Sequence, residues 1–120
     1  MVKDTIDVQK GLGFLAGQKN IYIKVANVFL NGAAKKIEDL KAYYEQGNFE
    51  RLTIEFHGLK SSSATMGSTL LPQISRELEH AGSNGDIDFI KENFDRFILQ
   101  YEDTCKALAL AIEQLAGDKI

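Results

Sequence analysis

The strongest pattern in the chain is a long apolar seam near its end. From Asp86 onward Ile87, Ile90, Phe94, Phe97, Tyr101, Cys105, Leu108, Ile112 and Leu115 recur at alternating spacings of three and four, which places them on one stripe of a helix about eight turns long. Ser83, Asn84 and Gly85 break the chain before it, and Asp86 and Asp88 put negative charge where first-turn amide dipoles favour it. Upstream, Leu71, Ile74, Leu78 and Ala81 form a second seam that runs out at Gly82, with Pro72 in the opening turn where a missing amide hydrogen costs little. A third helix covers roughly Asn48 to Thr65 on the seam Phe49, Leu52, Phe56, Leu59, Ser63 and Met66; Asn48 is its cap and Gly47 the stop of its predecessor. That predecessor carries Ala33, Ile37, Leu40 and Tyr44, and the short turn at Gly47 makes the pair antiparallel. Before it lie a short segment from Val8 to Leu15 and a second apolar run, Ile21, Val25, Val28 and Phe29, separated by Gly17 and Asn20. These read as two shorter helices closing one end of the bundle, with Asn31 and Gly32 as a bend or a continuous join.

The pattern predicts an all-α fold: an antiparallel four-helix bundle with one or two additional short N-terminal helices, in a single domain over residues 1–120. Composition agrees. The chain is 44% hydrophobic and 26% charged with one proline, a balance that suits a helical protein with a modest core. A net charge of −3 gives no attraction to a phosphate backbone, so nucleic-acid binding is not expected. A single cysteine, Cys105, cannot close an internal disulfide, and no stretch reads as a signal core or membrane span. A monomer in the reducing cytoplasm is the expectation, and the initiator Met with a full set of helices suggests a free-standing protein.

Candidate chemistry gathers around one residue. On a helical wheel Thr53, His57, Lys60, Ser61 and Ala64 lie within about 60° of the His57 direction, while Leu52, Phe56 and Ser63 cluster about 100° away. The histidine and the core therefore occupy different faces. Most exposed histidines are merely solvated. Here, however, Gly58 and Ser61 leave the ring uncovered, and an uncharged imidazole offers a lone pair to a phosphoryl group without a separate base. Lys60, one turn on, supplies charge for phosphoryl oxygens, and the Ser61 hydroxyl can bond the imidazole or those oxygens. The alternative is a run of tolerated surface residues, set against the helix penalties of Gly58 and three successive serines.

His57-Gly58-Leu59-Lys60-Ser61-Ser62-Ser63, followed by Met66-Gly67 and Leu78-Glu79, resembles the histidine-containing phosphotransfer (HPt) domain, with its signature H-x-L-K-G-S/A-S/A, a later Gly and a Leu-Glu pair on the next helix. The Gly11-Leu12 segment, the helix ending near Phe29 and the Gly47 turn extend the resemblance over nearly the whole chain. It implies that His57 is phosphorylated, that Lys60 is its electrostatic partner and that Gly67 lets one helix end and the next begin. It also implies transfer between aspartates of receiver domains, those of response regulators and hybrid histidine kinases, with Mg²⁺ on the receiver and no cofactor in this chain. Thr53, Ala64, Leu12 and Leu15 are the expected docking residues, although Val8, Leu12 and Leu15 fit a core equally well. Ser61 departs from the usual Gly after the Lys, which bears on rate or partner preference.

No G-x-x-x-x-G-K-[ST] loop is present, so direct use of ATP is not expected. Two other classes compete. Glu77-x-x-His80 has the spacing of di-iron bundle ligands, but the second copy such a site needs is missing; these two read as surface residues. The remaining alternative is a helical interaction module that binds receivers or kinases without carrying phosphate. Cys105 falls on the core seam and reads as packing.

Overall fold

The computed structural model describes residues 3–117. Five helices follow in order: α1 Val8–Phe14, α2 Lys19–Glu45, α3 Phe49–Thr65, α4 Leu71–Ser83 and α5 Ile87–Gly117. Helices α2 to α5 form the all-helical bundle, and α1 is the one short helix added at the N-terminal side.

The predicted join at Asn31 and Gly32 is not a bend. α2 runs through it as one helix of 27 residues, so the expected second short helix is the first half of a bundle helix. A mid-helix glycine costs about 1 kcal/mol, while each large side chain taken out of water returns roughly 1.5–3 kcal/mol. The stripe Tyr22, Ala26, Ala33 and Leu40 is buried, with Phe29, Ile37 and Tyr44 packed on the core. Packing therefore outweighs the local penalty. α3 starts as its cap predicts, with the Asn48 side chain accepting from the Arg51 amide at 3.1 Å. The Asp86 carboxylate likewise accepts from the Phe89 amide at 3.2 Å at the start of α5.

Two apolar clusters fill the interior. The larger joins α2, α3, α4 and the first half of α5 and includes Leu52, Phe56, Leu78 and Phe97, with Phe56 and Phe97 meeting edge to face at 5.1 Å. The smaller, around Tyr22, Ala26, Met66 and Leu108, is covered by Val8, Leu12 and Leu15. Tyr22 closes it by donating its hydroxyl to the Met66 carbonyl at 2.7 Å, which satisfies a carbonyl at the end of α3.

The segment before α1 lies against the α3–α4 corner. Ile6 and Ser68 form an antiparallel bridge, and the Asp7 amide donates to the Gly67 carbonyl at 2.8 Å. Gly67 has φ +87°, and a Cβ there would overlap the Asp7 carbonyl, so this corner requires glycine twice over. The buried carboxylate of Asp4 supplies what α4 lacks at its start, since Leu70 has no capping side chain. It accepts from the Leu70 amide at 3.0 Å, the Thr69 amide at 3.1 Å, the Thr104 hydroxyl at 2.5 Å and the Ser68 hydroxyl. Thr104 is consequently fully buried, where the α5 seam pointed to its neighbour Cys105, which is only half-buried.

Candidate functional site

Burial of Leu52, Phe56, Leu59 and Ser63 sets the rotation of α3, and that rotation turns His57 outward with its side chain 65% exposed. Lys60 lies one turn further on, 30% exposed, on the flank facing α4. The two helices approach closely here for identifiable reasons. The Ser63 hydroxyl folds back onto the Leu59 carbonyl at 2.6 Å, and Gly82 lets α4 press against Thr53, whose hydroxyl any Cβ at Gly82 would overlap. Gly82 thus serves contact between helices, and α4 continues one residue past the predicted stop.

Leu78 is fully buried, and its anchorage delivers the next residue, Glu79, to α3. The Glu79 carboxylate bridges both site residues: one oxygen meets His57 Nδ1 at 2.5 Å and the other accepts from Lys60 Nζ at 2.7 Å. The Lys60 hydrogen bond is the main cause holding the Glu79 carboxyl below the usual carboxylate range; partial burial opposes it, and the His57 contact adds to it. An ionised carboxylate can only accept, so this hydrogen bond needs the proton on Nδ1, and in the neutral imidazole the lone pair is then on Nε2. Nδ1 makes the ring's hydrogen bond among the described residues, which leaves Nε2 without a partner there.

The other predicted site residues divide. Gly58 is exposed, with open space where a Cβ would stand. Ser61 is exposed, but its hydroxyl does not bond the imidazole; Glu79 holds the ring instead. Ala64 is half-buried on the same face. Thr53 turns away from that face: its hydroxyl donates to the Phe49 carbonyl at 2.7 Å and the side chain packs on Gly82. Leu12 and Leu15 are half-buried against the smaller core cluster, the core side of the two readings left open. The large apolar side chains that do face solvent are others: Phe14 on α1, Ile21, Val25 and Val28 along α2, Ile54 one turn before His57, and Leu99 and Leu110 on α5. Their period along α2 was visible in the sequence, but core and surface stripes look alike until neighbouring helices are placed.

Glu77 and His80 are exposed, and His80 Nε2 pairs with the Asn84 amide at 3.0 Å. Among the described residues no group of three or more His, Cys, Asp and Glu side chains is arranged to hold a metal ion. Burial pushes the Cys105 thiol up to about 11, so it is protonated at neutral pH and unreactive as a nucleophile. No helix among the described residues is long and apolar enough to cross a membrane.

A family model for the Hpt domain matches residues 24–118. The chain belongs to the Hpt domain family. This Hpt domain is also similar in fold to the crystal structure of histidine-containing phosphotransfer protein B (HptB) from Pseudomonas aeruginosa PAO1, with 19% identity over 96% of each chain and a TM-score of 0.74. No curated protein matches it significantly. Membership carries a phosphotransfer role in two-component signalling: Hpt domains are phosphocarriers that meet receiver domains, and His57 with Lys60 lies inside the matched stretch.

Proposed function

We propose that this Hpt domain takes a phosphoryl group from the aspartyl phosphate of one receiver domain onto His57 Nε2 and yields it to the aspartate of another. Nε2 attacks phosphorus in line, an N–P bond forms, and the P–O bond to the aspartate breaks, returning that side chain as a carboxylate. The ring gains positive charge as its lone pair is used, and the Glu79 carboxylate on Nδ1 stabilises that charge while keeping the ring oriented. Lys60 Nζ, within one turn, can exchange a Glu79 contact for the incoming phosphoryl oxygens. Mg²⁺ is supplied by the receiver, and no nucleotide is needed because transfer rests on positioning and charge. The carrier works in the cytoplasm without kinase activity of its own.

The observation that carries this reading is the Glu79 bridge, which ties Nδ1 of an exposed imidazole and the Lys60 ammonium to one carboxylate, an arrangement that supports Nε2 as the nucleophile. The exposed stripe Val28, Val25 and Ile21 with Ile54 supplies apolar surface for the receiver beside it. The test is incubation with a phosphorylated receiver and Mg²⁺. The chain is expected to gain label that is acid-labile and alkali-stable, and His57→Gln to gain none; label on His57→Gln, or acid-stable label, refutes the assignment. Binding of a receiver without label marks a pure interaction module.

A further inference from the structure

Gly82 stands in the last turn of α4. Its φ is not positive, so its backbone does not ask for glycine, and glycine is a poor helix former. Packing is what requires it. A Cβ there would overlap the Thr53 hydroxyl oxygen and stand 3.0 Å from Thr53 Cβ and 3.1 Å from Thr53 Cγ2, inside the contact distance of about 3.5 Å or more at which non-bonded atoms settle. Both branches of Thr53 crowd the position, so turning that side chain gives little relief, and its hydroxyl is tied down by donating to the Phe49 carbonyl at 2.7 Å. α3 and α4 therefore meet here at a separation that only glycine permits. The short corner between Thr65 and Leu71 makes the two helices antiparallel. Thr53 lies four residues before His57 and Gly82 three residues after Glu79, so this contact is one turn along from the His57–Glu79 contact on both helices.

We propose that the Gly82–Thr53 contact is a spacer that sets the reach of Glu79, which makes Gly82 a positioning residue for phosphoryl transfer at His57. The proposal rests on the carrier reading above. One carboxylate meets His57 Nδ1 at 2.5 Å and Lys60 Nζ at 2.7 Å, and both partners belong to α3, so any retreat of α4 lengthens the two bonds together. A side chain at position 82 would move α4 back on the order of 1 Å to reach ordinary contact with Thr53. Over a single turn a helix is stiff, and the displacement passes to Glu79 with little loss. Both bonds are then stretched towards about 3.5 Å, where a hydrogen bond is lost. The Glu79 side chain cannot follow freely, because its backbone is anchored by the fully buried Leu78 and its carboxylate has to serve two groups a turn apart.

The experiment compares the wild type with Gly82→Ala, with Gly82→Ala combined with Thr53→Ala, and with Thr53→Ile, each checked for folding by circular dichroism. Two quantities are read: nitrogen NMR of the His57 ring, and the rate of labelling by phosphoramidate, whose P–N bond breaks with loss of ammonia as Nε2 takes the phosphoryl group and which needs no receiver docking. Gly82→Ala is expected to shift the ring from a proton mainly on Nδ1 towards a mixture of tautomers and to slow labelling on the order of tenfold. Adding Thr53→Ala removes the overlapping branches and should restore most of both. Should Gly82→Ala not fold, Thr53→Ile crowds the same contact from α3 and is expected to give the same two changes. A wild-type spectrum and rate in a folded crowded variant, a changed spectrum with an unchanged rate, or a Gly82→Ala defect that Thr53→Ala does not relieve overturns the spacer. If the wild type takes label from phosphoramidate but from no phosphorylated receiver, the carrier reading falls, and the ring spectrum and phosphoramidate rate still decide the spacer.

Discussion

Replacing Glu79 by Gln keeps the shape of the side chain and removes its charge. Either amide atom can then face Nδ1, so the imidazole is no longer held in one tautomer. We expect Glu79→Gln to slow phosphoryl transfer on the order of tenfold or more, and nitrogen NMR of the ring to change from a proton mainly on Nδ1 to a mixture of tautomers. A normal tautomer spectrum with slow transfer would assign Glu79 a merely structural part. Asp4 makes its own prediction at this scale. Burial pushes its carboxyl up, but hydrogen bonds from Ser68, Thr104, the Leu70 amide and Thr69 outweigh burial and leave it below its ordinary value. A depressed carboxylate stabilises the fold fully above the unfolded value, near 4, and that contribution is lost as pH falls through the lower folded value. Asp4→Asn should therefore cost about 2–3 kcal/mol in urea unfolding at pH 7, because charge-assisted hydrogen bonds to buried donors are weakened. The gap from the wild type should narrow as pH drops below about 4. An equal gap at pH 7 and pH 3 contradicts the capping role.

At the level of helices and their junctions, glycine substitution should act with opposite signs at two places. Gly67→Ala puts a Cβ on a left-handed residue and into the Asp7 carbonyl, a loss of roughly 2 kcal/mol or more that thermal unfolding will read. Gly32→Ala adds a Cβ in open space within a continuous helix and should stabilise by about 1 kcal/mol. A destabilised Gly32→Ala would mean that α2 needs its glycine for bending after all. These two cases also show what was readable along the chain. The end of α3 was legible because its apolar seam runs out at Met66, and the resemblance marked Gly67 beside it, whereas the segment at residues 4–7 that bridges to this corner carried no periodicity that could announce it. The course of α2 through Gly32 was not legible either, since a glycine weakens a helix by the same amount whether or not distant packing carries the helix onward.

For the molecule as a whole, the bundle presents an exposed imidazole, a lysine ammonium and apolar surface on one side. Val28 and Ile54 are exposed on that side, so Val28→Glu with Ile54→Glu should leave stability within about 0.5 kcal/mol while slowing label transfer from a receiver. Unaltered transfer in the double variant would move the docking surface elsewhere. The amino-acid sequence by itself determined the all-helical bundle, the starts of α3 at Asn48 and of α5 at Asp86, most of the buried seams and the outward aim of His57 with Lys60 on a neighbouring flank. All of these depend on periods of three and four residues within one helix. Tertiary structure alone decided that Glu79, 22 positions from His57, grips the imidazole, that Asp4 caps a helix start 66 positions away, and that Leu12 and Leu15 turn inward while Val28 turns out. Those outcomes depend on the rotation and axial offset of one helix against another, which are settled by the packing of the whole core rather than by the pattern along any one helix.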